Sequence, residues 1–205
     1  ETLLLIIITY LLISRMWESS EYIWISFLAG SVIVYVLGIC NRFSFYPIPF
    51  EKVAPDFIST LGNINWFCGY FAVMWPIGAC LYVFSERRPV RIAAGVYLLI
   101  AFCAGVTQGS SSAFLSFAAV FYLLLLVCMD KWERYGRRWA ELVTGWCLAC
   151  QIMRIFRAVF PGKYSYETDN LCGMVTGSSF SLFLLIFVVL LYMIIKKSKL
   201  DKRYW

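Results

Sequence analysis

Apolar residues in this chain come in long blocks closed by short polar stretches, and the block lengths set the elements to expect. Seven runs stand out, at 3–13, 22–40, 65–84, 92–106, 113–129, 140–160 and 178–195. A helix needs about 20 apolar residues to cross the hydrocarbon core, whereas a barrel strand shows about ten in alternation, so the runs predict helices. The expected fold is all-α, a polytopic integral membrane protein of about seven transmembrane helices forming a single domain. The run at 3–13 is short, and it follows Glu1 with neither an initiator Met nor a basic segment ahead of it. It reads as the end of a longer span, truncated at its start.

The longest connection, 41–64, is interrupted by Pro47, Pro49 and Pro55 and carries Phe43, Phe45, Tyr46, Phe50 and Phe57, which suits a loop lying along the membrane surface. Pro76 falls inside the third run, where it removes a backbone hydrogen bond and favours a kink. Segments 85–91 and 130–139 read as tight basic turns. The central stretch is Leu61 to Pro76, where a Gly-Asn-Ile-Asn turn runs directly into an apolar helix with Trp66 at headgroup level.

Composition agrees with the pattern: 61% of the 205 residues are hydrophobic, 19% are aromatic and mean hydropathy is +0.75. A soluble domain is only about half apolar. The net charge of +6 would point to nucleic acid, but the basic residues occupy short loops between apolar runs, where membrane topology accounts for them. No nucleic-acid partner is expected. The eight cysteines sit mostly within apolar runs, as do Cys40, Cys80, Cys103 and Cys128, and behave there as small apolar residues. Cys147 and Cys150 form a CxxC with no second pair nearby, so packing is favoured over metal or redox chemistry. Histidine is absent, which removes the commonest general base and every triad that needs one.

Counting Lys and Arg in alternate loops gives the orientation. Thirteen fall on one side, from Arg15 through the 87–91 and 131–138 clusters to Arg203, against Arg42, Lys52 and Lys163 on the other. Residue 1 is therefore expected outside and Trp205 in the cytoplasm. On this topology the Gly62–Asn65 turn, the TQGSSS stretch at 107–112, the Arg154 end of the sixth run and the 161–176 loop share the extracytoplasmic face.

Four groups on that face are candidates for chemistry. Gly62, Asn63 and Asn65 could orient a polar ligand or simply cap the following helix. Arg154 and Arg157, three apart on one helical face, suit phosphate oxygens, although snorkelling or pairing with Glu167 or Asp169 would equally explain them. Lys163, with Tyr164 and Tyr166, could extend a cationic, aromatic mouth or lie in a solvated loop. Thr107, Ser110, Ser111 and Ser112 stand at a helix start, where free N–H groups favour anions and where serine also serves as a cap. The identity of a catalytic residue stays open, and no metal set emerges.

In their order, GNINW opening a span that contains Pro76, then a basic turn, a further span and TQGSSSAFLS, the motifs resemble the membrane family of O-antigen ligases and O-antigen polymerases. Gly62, Asn63 and Asn65 match its GNxN turn; Thr107, Ser110, Ser112 and Ala113 resemble its later Ser-rich motif. The likeness covers residues 61–129, and the rest only in topology. It implies a GT-C-like helical glycosyltransferase of the bacterial cytoplasmic membrane, active in cell-surface polysaccharide biosynthesis. The donor would be an undecaprenyl-pyrophosphate-linked glycan and the acceptor a glycan, lipid or protein, with no metal, cofactor or nucleotide sugar. Arginines near the outer face would hold the pyrophosphate and a histidine in a large external loop would act as base. This chain has serine where the second motif often has arginine, and it lacks that histidine. Truncation at both ends is the expected reason, which leaves open whether the piece acts alone. A lipid-linked glycan flippase or a non-catalytic assembly partner would use the same features.

Overall fold

The computed structural model describes residues 21–48, 58–164, 173–175 and 178–201. Six long helices build it: α1 Glu21–Arg42, α2 Ile64–Phe84, α3 Arg88–Thr107, α4 Ser111–Asp130, α5 Trp132–Val159 and α6 Ser178–Asp201. No strand occurs among the described residues. Each helix contains a segment of at least 18 residues that is long and apolar enough to cross a membrane, and the run at 3–13 lies outside the described residues. Only helices satisfy every backbone group in hydrocarbon without a closed barrel, so six such segments make this an all-α, multi-pass membrane protein.

Hydropathy places the start of α5 at residue 140, but the helix begins at Trp132, with Lys131 alone separating it from α4. Residues 132–139, expected as a turn, are polar because they leave the apolar layer, and helix propensity carries the backbone on without a break. Arg88 likewise already opens α3, with Pro89 in its first turn where a missing N–H costs nothing. α2 runs from Ile64 to Phe84 through Pro76.

Helix α3 is central, packing on α1, α2 and α5; α4 packs on α5 and α2, and α6 packs on α5. Aromatic rings fill the middle. Trp75 stacks on Phe71 and meets Phe102, Phe117 and Phe121 edge-on or tilted, with centroids 5.2–6.1 Å apart, and Trp146 closes the cluster from α5. Lipid gives helices no hydrophobic reason to associate, so this close van der Waals contact and interhelical polar bonds must hold the bundle. Trp75 Nε1 donates to Ser116 Oγ at 2.8 Å, joining α2 to α4. Ser31 Oγ donates to Phe27 O and shares a 2.9 Å bond with Tyr70 OH, while Tyr35 OH and Tyr97 OH share one at 3.2 Å. Four hydroxyls thereby link α1, α2 and α3 inside the apolar layer.

The bundle has two polar ends. At one, Glu86 meets Arg134 at 2.9 Å, and Arg138 Nη1 donates to the Val83 and Ser85 carbonyls, closing the last turn of α2. At the other end the C-termini of α1, α3 and α5 gather with the N-termini of α2, α4 and α6, bridged by Arg42–Gln108, Tyr164–Thr107 and Gln151–Ser181.

Candidate functional site

Arg42 ends the apolar run of α1 and is only 1% exposed. Burying a guanidinium is costly unless acceptors surround it. Gln108, 0% exposed at the C-cap of α3, supplies two: its Oε1 accepts from Arg42 Nε at 3.1 Å and its backbone carbonyl from Nη2 at 3.3 Å. The amide's other end, Nε2, donates back to Ala104 O at 3.2 Å, which fixes which way the side chain lies. Gly38, one turn before Arg42, makes room for this. A Cβ there would stand 2.6 Å from the Phe67 ring and 3.6 Å from Gln108 Nε2.

Beside this pair, Thr107 is fully buried, and its Oγ1 donates to Cys103 O at 2.7 Å and Ala104 O at 2.9 Å. Its backbone carbonyl accepts from Tyr164 OH at 2.7 Å. Tyr164 OH in turn accepts from Arg157 Nη2 at 2.9 Å, and the guanidinium carbon lies 4.2 Å from the centroid of the same ring. A continuous polar chain thus runs from Arg157 through Tyr164 to Thr107, next to Gln108 and Arg42. Arg157 Nε is buried and makes no hydrogen bond among the described residues. Phe43 lies against Tyr164, with centroids 5.6 Å apart, and packs in turn on Phe156 and Phe160 of the α5 end.

The other sequence candidates divide. Arg154 is exposed and donates to Gln151 Oε1 at 3.5 Å, so its guanidinium faces the surroundings of the bundle. Lys163 is exposed, and its carbonyl accepts from Ser44 Oγ at 2.7 Å, which pins the loop after α5 to the end of α1. Ser110 is the N-cap residue of α4 but makes no side-chain cap bond, and Ser112 is exposed one step into the helix. Glu167, Asp169 and Tyr166 lie outside the described residues.

Gly62, Asn63 and Asn65 sit at the same end but do a different job. Asn63 Oδ1 accepts from Asn65 N at 2.7 Å and caps α2, while Gly62 adopts φ 78° to make the turn. Both asparagines are exposed, and no hydrogen bond joins them to Arg154 or Arg157 among the described residues. The turn is held to α1 from below, since Ser59 N donates to Asn41 Oδ1 at 2.8 Å and Ser59 Oγ to Val34 O at 2.7 Å.

Arg42 and Gln108 are the residues that sequence reasoning passed over. Arg42 counted as a loop cation and Gln108 as a spacer between hydroxyls, yet a charge and an amide each closing an apolar run carried the signal. Cys147 and Cys150 are buried in α5 and unbridged, and no group of three metal-ligating side chains occurs among the described residues.

Chemically, this end offers cationic and hydroxyl donors at the boundary of an apolar layer, an arrangement suited to an anion attached to a lipid. The fold and site define the class as a multi-pass helical membrane protein with a buried arginine, Arg42, and a half-buried one, Arg157, at one end. Comparison with protein-family models, curated proteins and solved structures finds no match to the chain.

Proposed function

We propose that this chain is part of a membrane glycosyltransferase of the O-antigen ligase or polymerase type, handling an undecaprenyl-pyrophosphate-linked glycan at the extracytoplasmic face of a bacterial membrane. The observation that supports this reading best is the cluster of Arg42, Gln108, Thr107, Tyr164 and Arg157, because it joins the TQGSSS segment to the arginine-bearing helix. Among the described residues the partners of Arg157 are a neutral phenol and an aromatic face, which leaves its charge suited to an incoming anion. A departing pyrophosphate gains negative charge, and fixed cations in a poorly solvated place stabilise it most. Under this reading Arg157 holds the donor phosphate, Arg154 meets it at the surface, and Arg42 keeps the floor of the site in place. The GNIN turn is a supporting cap.

The test measures transfer of labelled glycan from lipid-linked donor to acceptor in membranes containing the natural protein. Arg157→Ala should lower transfer by about a hundredfold or more with normal membrane insertion, and Arg157→Lys should restore part of it. Full activity in Arg154→Ala and Arg157→Ala would overturn the assignment. Relocation of the lipid across the bilayer with its glycan unchanged would identify a flippase instead.

A further inference from the structure

A guanidinium meets a phosphate best along an edge, through two parallel N–H bonds. On the edge of Arg157 formed by Nε and Nη2, Nη2 donates to Tyr164 OH at 2.9 Å, while Nε is buried and makes no hydrogen bond among the described residues. A phenol has a single oxygen and takes one of the two donors. Two phosphate oxygens would take both, and they need the place where the tyrosine hydroxyl stands.

Tyr164 is brought there by the loop that follows α5. The helix ends at Val159, and Gly162, with φ 76°, turns the chain so that Tyr164 lies back over Arg157, its ring centroid 4.2 Å from the guanidinium carbon. Three contacts hold the loop shut against α3 and the end of α1. Tyr164 OH donates to Thr107 O at 2.7 Å, Ser44 Oγ donates to Lys163 O at 2.7 Å, and Phe43 lies against the Tyr164 ring. Outward the loop is unobstructed: Phe160, Pro161, Gly162 and Lys163 are exposed, and a Cβ at Gly162 would meet nothing within 4 Å.

We infer that Tyr164 is a latch: the 160–164 loop closes over Arg157 and swings away when a pyrophosphate takes the Nε–Nη2 edge. The inference rests on the phosphate role proposed for Arg157 and adds how access to that residue is controlled. Closure lowers the apparent affinity in proportion to the fraction of molecules that are open, so weakening the latch tightens binding. Removing a tyrosine that only propped the site would weaken binding or leave it unchanged.

Isothermal titration calorimetry of the natural protein in detergent, with inorganic pyrophosphate and with farnesyl pyrophosphate as probes, separates a free from a lipid-borne source of the anion. Tyr164→Phe can neither accept from Arg157 nor donate to Thr107, and it should bind at least one probe about tenfold more tightly than the wild type. The probe that shows the gain names the source. In the wild type, binding should speed deuterium exchange of the amides of residues 162–164, as expected of a loop that opens. Arg157→Ala should abolish binding with or without Tyr164→Phe. Thermal midpoints show whether Tyr164→Phe folds. If it does not, Ser44→Gly replaces it: this variant frees the Lys163 carbonyl, suits the φ of 56° at that position, and should tighten binding about threefold. Equal or weaker binding by the folded latch variant overturns the inference, as does slower exchange of the loop amides on binding. Absence of binding in every variant removes the latch together with the phosphate role of Arg157. Tighter binding by Tyr164→Phe without any glycan transfer leaves the latch and removes the transferase, whereas unchanged binding, with transfer lost in Arg157→Ala, removes the latch alone.

Discussion

At the Glu86 end of the bundle, Arg134 reaches a carboxylate at 2.9 Å with both side chains 55% exposed, whereas at the opposite end Arg42 is 1% exposed and bonded to a neutral amide. The first arrangement resembles what water-facing arginines do anywhere, and exposed pairs of that kind contribute about 0–1 kcal/mol. The second costs desolvation, which the Gln108 amide and backbone carbonyl help to offset. Arg138 shows the intermediate case, since it closes the α2 C-terminus through the Val83 and Ser85 carbonyls, a purely structural task. The contrast separates a cation paired in the open from one enclosed together with its acceptors.

The largest expected effect comes from removing the acceptor of the buried charge. Gln108→Leu should destabilise the protein by about 3 kcal/mol, because a buried charged donor loses a side-chain acceptor. Reversible unfolding in mixed micelles measures this, and a loss below that of an exposed pair would erase the distinction between the ends. Gly38→Ala should cost about 1–3 kcal/mol by driving a methyl into the Phe67 ring, read as a lowered thermal midpoint. Tyr164→Phe removes the hydroxyl between Arg157 and the Thr107 carbonyl and should cost about 1–2 kcal/mol. It should also speed exchange of amides in the loop after α5, observed by hydrogen–deuterium exchange. Glu86→Gln should change stability by no more than about 1 kcal/mol, with the difference vanishing in high salt. Salt should leave the Gln108→Leu deficit nearly intact.

Much of the fold was legible because spans announce themselves: a run such as 113–129 has no polar residue except Ser116, and α4 occupies it from Ser111 to Asp130. The start of α5 was not, since hydropathy records where the apolar layer ends and not where the backbone stops being helical. Arg154 and Arg157 were identifiable from composition alone, but only the structure separates the exposed one from the one tied to Tyr164. Thr107 looked like an available hydroxyl and is fully buried, bonded to its own helix. The open groove of about 1020 Å³ between α4 and α6 had no sequence signature at all. Leu184 and Leu182 read alike in an apolar run, yet Leu184 lines the groove and Leu182 does not, and lipid-facing positions need no polar partner to distinguish them.

The bond between Arg42 and Gln108 spans 66 residues of chain. During synthesis α1 reaches the membrane while its partner amide is still unmade, so the arginine must wait at the interface, its stem along the lipid and its charge in water. The Gln108 acceptors reach the guanidinium only once α3 is threaded into the bilayer. Biogenesis therefore has a fixed order, hydrophobic insertion first and polar assembly afterwards, and a nascent chain arrested before Gln108 would present Arg42 to solvent accessibility probes.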